Sequence, residues 1–296
     1  MFRQATSPQL DESHLCTVRL DRLQFRARAY VLKLLLLSGF VRMRGHSVRA
    51  QTSVTTYRRV DTFLNQRTGT KVFLQREPAC PWLWPLKATV VAEDRRGLCS
   101  VEAERIFSAF KPARLLLVEL ALDFTLPGGI DRAFVLRYGL FGKSRPIGGR
   151  LYKNLRYGSR FSGAITRAYE KPQTKAYRVE VQLQRTWLRA WGIQQLGDLA
   201  KLPALIVPSR VRFVRIDWDA LAKYLSRKEI AADPIVREAQ TRGSLHSALE
   251  YLRRDVGVAN VHRFLRLLPI NEEIRLALQM WARKWAEDGP LDERRT

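Results

Sequence analysis

Acidic residues are scarce in this chain: 28 Asp and Glu stand against 52 Lys and Arg over 296 residues, a formal net charge of +24. A folded chain with that surplus attracts polyanions, because each phosphate it neutralises releases condensed counterions. Nucleic acid therefore ranks ahead of a membrane surface or an acidic protein as its partner. Cysteine is equally thin. Cys16, Cys80 and Cys99 lie far apart with no Cys-x-x-Cys spacing, which argues against a disulfide framework or a zinc ribbon and fits reduced, cytoplasmic thiols. The four histidines (His14, His46, His246, His262) form no His-x-His pair, so a histidine-built metal centre has no support. Long apolar runs are missing too. The longest, residues 30–41, is interrupted by Lys33 and is too short to span a bilayer, and the first residues lack the apolar core of a secretory signal. Walker A, Gly-x-Ser-x-Gly and dinucleotide fingerprints are absent, which leaves ATPase, serine-hydrolase and dehydrogenase readings without a motif.

What is present is enough apolar material for a large core, 46% hydrophobic and 10% aromatic residues. The periodicities predict a strand over 16–26, a helix over 28–40, a hairpin from 53–64 and 70–76, and a strand over 86–92. A helix opening at Ser100, a strand through LLLVELALDF, a helix over 131–140 and strands over 150–157, 163–171 and 177–184 follow. Helical pieces dominate from 194 onward, with one further strand at 211–216 and a helical stretch over 244–289. The expected class is α+β: an antiparallel-rich sheet with helices on one face, then a mostly helical C-terminal region. The expected divisions are a flexible tail (1–14), a catalytic domain (15–192) and a helical region (193–296) that contacts DNA or a partner.

Chemistry-bearing residues concentrate in the middle. Alternation places Ile165, Arg167, Tyr169 and Lys171 on one strand face, so a phenol sits between two cations. A phosphodiester-attacking tyrosine needs such a setting, since phenolate and phosphate are both anionic. In VELALD, Glu119 and Asp123 alternate with apolar residues, and in RVEVQL, Arg178, Glu180 and Gln182 do the same. Either pattern alone also describes an ordinary half-buried strand. Together they offer carboxylates whose mutual repulsion arginine pairing with Arg178 or a hard divalent cation would relieve, and oxygen-only ligation suits Mg2+ or Mn2+. Between residues 143 and 171 there are eight Lys and Arg, opposed only by Glu170. Arg150, Lys153, Arg156, Ser159, Arg160 and Arg178 are the candidate DNA contacts, with the Gly158-Ser159 turn offering N–H groups to phosphate.

At these residues the chain resembles the replication initiation factor family, the rolling-circle initiators of plasmids and filamentous phages and related relaxases. LVELALDF resembles that family's strand ending in Asp-Phe. NLRYGSRFSGAITRAYEK resembles its Tyr-x-Gly-Ser-Arg…Arg-x-Tyr-x-Lys segment, and YRVEVQLQR its Arg-Val-Glu-x-Gln-Leu strand. The resemblance covers roughly residues 115–190, and Glu119 stands where many relatives carry Asp. It implies metal-dependent nicking of one DNA strand at an origin, leaving a 5′-phosphotyrosyl link and a 3′-OH primer. Tyr169 would be the nucleophile and Tyr157 the second choice. Asp123, Glu180 and Glu119 would hold Mg2+ or Mn2+, and Arg167, Lys171 and Arg160 would steady the phosphate. Duplex and single-stranded origin DNA are the implied partners, with a host helicase and a second copy of the chain as further candidates. A conjugative relaxase and a non-catalytic DNA-binding regulator are the alternatives.

Overall fold

The computed structural model describes residues 16–26, 39–43, 57–78, 87–92, 97–108, 110, 113–125, 130–141, 146–147, 154–158, 163–171 and 176–287. The helix expected over 28–40 and the tail over 1–14 fall outside them or nearly so. The first half of the chain supplies β1 (Cys16–Arg26), β2 (Val41–Arg42), β3 (Tyr57–Leu64), β4 (Lys71–Pro78), β5 (Lys87–Val91), α1 (Ser100–Ser108), β6 (Arg114–Phe124) and α2 (Arg132–Tyr138). Next come β7 (Pro146–Ile147), β8 (Leu155–Tyr157), β9 (Ala164–Lys171), β10 (Ala176–Gln184) and α3 (Arg185–Ala190). The remainder is α4 (Leu202–Ser209), β11 (Val214–Ile216), α5 (Trp218–Ser226), α6 (Ala232–Thr241), α7 (Leu245–Arg254), β12 (Leu265–Leu267) and α8 (Ile270–Glu287).

The fold is α+β. Strands β1 to β10 form one sheet in the order β2-β3-β4-β5-β1-β6-β10-β9-β8-β7, with antiparallel pairing throughout. Alternation along the central strands sorts its two faces. Leu20, Leu23 and Phe25 of β1, Val118, Leu120 and Leu122 of β6, and Val179, Val181 and Leu183 of β10 are buried on one face. Helical residues cover them: Ile106 and Phe107 of α1, Ile206 of α4, and Ile274, Leu278 and Trp285 of α8 join the same cluster. Phe25 meets the edges of Phe107 and Phe110 at 5.3 and 5.2 Å, a favoured aromatic geometry. The opposite face carries the polar residues.

The expected strand and helix sequence is present over the described residues, with Asp131 capping α2 by accepting from the Phe134 N–H at 2.6 Å. The helical reading over 244–289 holds for α7 and α8 and is corrected between them. After α7 the chain turns at Gly257 (φ 72°), makes a short 3-10 turn at Val261–Phe264, and enters β12, which pairs with β11. Pro269 explains the break: it has no N–H to donate, and it pushes Leu268 out of helical geometry, so α8 starts only after it. The apolar core also does not divide at residue 193. Ile193, Leu196, Leu199, Ile206, Val211 and Phe213 belong to the sheet's cluster, as does α8. A second cluster gathers Val214, Ile216, Leu221, Leu225, Leu249, Leu252 and Phe264. Buried Asn271 fixes α8 to the strand entering β11: its amide donates to the Phe213 carbonyl at 2.6 Å and accepts from the Phe213 N–H at 2.9 Å.

Candidate active site

Register, more than any motif, assembles the polar face. Asp123 of β6 lies opposite Thr17 of β1 on one side and Arg178 of β10 on the other, and Arg178 lies opposite Tyr169 of β9. One step along, Arg19, Ala121, Glu180, Arg167 and Arg156 form the next row. A third row is Arg22, Glu119, Gln182 and Ile165. The structure thus brings Tyr169, Arg167, Asp123, Glu180, Glu119, Arg178 and Arg156 onto one face. Lys171, two residues beyond Tyr169, shares it.

A β-bulge adds a residue that alternation could not supply. The β1–β6 register shifts between Leu20 and Arg22, so Asp21 is unpaired in the ladder. It joins the cluster through Arg178, whose Nη1 donates to Asp21 at 2.5 Å. Gly97 is pressed against this segment with φ +76°; a Cβ there would come within 2.8 Å of the Arg19 Cβ, so the close approach requires glycine.

Four carboxylates, Asp21, Glu119, Asp123 and Glu180, are met by four arginines. Arg178 grips Asp123 with both prongs of its fork, at 2.6 and 2.9 Å, and Arg19 pairs with the same carboxylate. Arg22 and Arg167 approach Glu119 at 3.6 and 3.8 Å, and Arg167 lies 3.6 Å from Glu180. Asp123, Arg178, Glu119 and Glu180 are all buried. Burial raises the Asp21 carboxyl above its usual value, against the pull of Arg178 and Arg19. Burial also raises Glu119, reinforced by the like charge of Glu180.

Tyr169 is half-buried, and its hydroxyl donates to Glu180 Oε1. Burial and that acceptor push the phenol well above its ordinary range, so it stays protonated until a base takes the proton. Glu180 is already in place to do so. Lys171 is shifted down, first by burial and then by Arg178 and Arg19, which makes it a readier proton donor than a solvated lysine.

Tyr157 is placed elsewhere. It pairs with Thr166 across β8–β9 but points into the core, 1% exposed, with its ring 4.9 Å from Phe141 and 5.9 Å from His246. Its hydroxyl is buried without a hydrogen-bond partner among the described residues, and it lies on the face opposite the carboxylates. Arg178 is also corrected as a DNA contact: at 4% exposure, engaged with Asp123 and Asp21, it orients carboxylates and does not face solvent. Arg150, Lys153, Ser159 and Arg160 lie outside the described residues.

For a divalent cation, the donor set divides. Both oxygens of Asp123 are taken by arginine, so as placed it does not fit. Glu119 and Glu180 do: Glu119 Oε2 is buried with no hydrogen-bond partner, and the single, part-exposed Arg167 bridges the two carboxylates. Magnesium keeps several waters and accepts one or two carboxylates. Among the described residues no three Asp, Glu, His or Cys side chains converge as a metal group. Asp21, Arg19 and Arg22 are the cluster members that sequence reasoning missed; the Arg-x-Asp-Arg run of β1 was the available signal, blurred by the bulge.

Fold and site together define an antiparallel sheet whose polar face presents a carboxylate-bound tyrosine among cations. No protein-family model matches this sequence, and no curated protein does. Three solved chains match. One, described as the "Structure of Rolling Circle Replication Initiator Protein from Geobacillus stearothermophilus", is 15% identical with a TM-score of 0.42, covering 67% of this chain and 86% of that one. Among the described residues no helix is long and apolar enough to cross a membrane.

Proposed function

We propose that this protein nicks and rejoins one DNA strand through Tyr169 and so initiates rolling-circle replication. The observation that carries the reading is the Tyr169 hydroxyl hydrogen-bonded to Glu180 on the polar sheet face, among Arg167, Arg156 and Lys171. The net charge of +24 supports a DNA substrate, and the initiator-like motifs in residues 115–190 support the replicative role.

In the reaction, the Tyr169 oxygen attacks the phosphorus in line as its proton passes to Glu180 Oε1. The P–O3′ bond breaks, leaving the 5′ phosphate esterified to tyrosine and a 3′ oxygen that takes a proton from Lys171 or water. Arg167 and Arg156 offset the charge that gathers on the phosphate oxygens. Arg178 holds Glu180 in place, its Nη1 lying 3.6 Å from Oε1. Mg2+ or Mn2+, held by Glu119 and Glu180, would polarise the scissile phosphate. Because the energy of the broken bond is kept in the phosphotyrosine, the reverse step rejoins the strand without a nucleotide.

The test is to incubate the protein with supercoiled DNA carrying its replicon's origin and Mn2+, then map the adduct by mass spectrometry. A phosphotyrosyl peptide containing Tyr169 is expected, with loss of nicking in Tyr169→Phe and a slowing of roughly 10²- to 10³-fold in Glu180→Gln. An adduct on any other residue overturns the mechanism. DNA binding with no adduct at all would make the protein a regulator.

A further inference from the structure

At the far end of the sheet from Tyr169, cations lie directly opposite one another. Arg26 of β1 pairs in register with Lys87 of β5 on one side and with Arg114 of β6 on the other. Like charges directly opposite across a ladder destabilise a sheet. Arg185 and Arg189 of α3, the helix that follows β10 directly, add to the group. Arg185 is shifted down by burial and then by Arg26, Arg189 and Arg114, and Lys87 by burial and then by Arg26, so Arg26 stands at the centre of the group. Among the described residues no carboxylate pairs with any of them. The contrast with the Tyr169 cluster is complete: there every carboxylate meets an arginine.

We infer that this row is a second DNA contact, a phosphate-backbone grip that holds the substrate beyond the reacting nucleotide. The chemistry is that of a polyanion: three adjacent strands and one helix each present a cation, a linear array that suits successive phosphates better than a single small anion. Its distance from the reaction centre follows from β6. Arg114 and Asp123 sit at opposite ends of that strand, about 30 Å apart at ~3.3 Å per residue. DNA bound at Tyr169 would have to extend that far to reach it. That length dependence rests on the Tyr169 reading; the grip itself does not.

The experiment compares wild type with the variant Arg26→Gln, Arg114→Gln, Arg185→Gln, Arg189→Gln, and with a control that removes four exposed cations elsewhere: Arg227→Gln, Lys228→Gln, Arg237→Gln, Arg253→Gln. Fluorescence anisotropy on a labelled origin oligonucleotide is measured over a KCl series. The first variant is expected to bind roughly tenfold or more weakly at low salt, and its slope of log affinity against log salt should be shallower by about one for each phosphate no longer neutralised. The control should move much less. Equal losses in both variants, or an unchanged slope, overturn the proposal. Thermal unfolding without DNA should show the first variant at or above wild type, since repulsion has been relieved. A lower midpoint would mean that the cations have internal partners, and would also overturn it. Finally, an oligonucleotide too short to span the distance from Tyr169 should bind both variants alike. If short and long DNA lose affinity equally while the slope still falls, the grip stands and the Tyr169 reading fails.

Discussion

The two faces of one sheet each hold a tyrosine, and the difference between them shows what makes a phenol a candidate nucleophile. Tyr157 and Tyr169 sit on adjacent strands, both in basic stretches. Tyr157 faces the core, packed on Phe141, with a hydroxyl that finds no partner among the described residues. Tyr169 faces the polar side, with its hydroxyl donating to a carboxylate that arginines surround. Both phenols are shifted up by burial, so acidity does not separate them. The separating feature is a base within hydrogen-bond reach. An attacking tyrosine whose own acidity is suppressed needs one, and of the two only Tyr169 has it among the described residues.

The comparison can be broken most directly at Tyr169. Tyr169→Phe should lower nicking by at least ~10⁴-fold, as expected for loss of a nucleophile, while affinity for origin DNA stays within a few-fold. Nicking and binding that fall together would mean the hydroxyl is structural. The next largest effect is on the clamp behind it. Asp123→Asn takes from buried Arg178 and Arg19 the carboxylate that both grip, leaving Asp21 to face the two of them, and should cost about 3–5 kcal/mol of stability in urea unfolding; a loss below ~1 kcal/mol would show that the pairs are solvent-screened.

A smaller, pH-dependent effect is expected at Glu119. Its folded carboxyl is raised above the ordinary value of 4.5, so the native state holds that proton more tightly than the unfolded chain. The contribution is fully present below the ordinary value and is lost as pH rises through the raised one. Glu119→Gln should therefore be the more stable protein at neutral pH in EDTA, by roughly 2–4 °C for each kcal/mol gained. The advantage should shrink as pH falls toward 4.5. A constant difference across pH would break the assignment. Smallest of all is Tyr157→Phe. Removing a buried hydroxyl that has no partner should be neutral or stabilising by up to about 1 kcal/mol, with nicking unchanged; a large loss of nicking would restore Tyr157 as a candidate.

Much of this was legible before any coordinates. The strand through LLLVELALDF, the hairpin of β3 and β4, and the shared face of Arg167, Tyr169 and Lys171 follow from period-two alternation, which is local to each strand. Leu155-Arg156-Tyr157 carried the same signal, since alternation sets Tyr157 against Arg156 and beside Leu155, but a short strand in a basic stretch does not say which side is the core. The helical reading over 244–289 holds in α7 and α8 and fails between them, because apolar spacing alone could not register that β12 would find a strand partner at β11.

By itself, then, the chain's sequence determined the charge, the alternating strands and which residues share a strand face, because backbone geometry and composition need only near neighbours. The tertiary structure decided which faces meet. Strand order set Glu180 diagonal to Tyr169, a bulge in β1 left Asp21 outside the ladder to meet Arg178, and register filled both oxygens of Asp123 with arginine. It also lined up Lys87, Arg26 and Arg114 with no acid among them. Each of these depends on pairing between residues tens of positions apart, and no local pattern encodes a register shift of one residue.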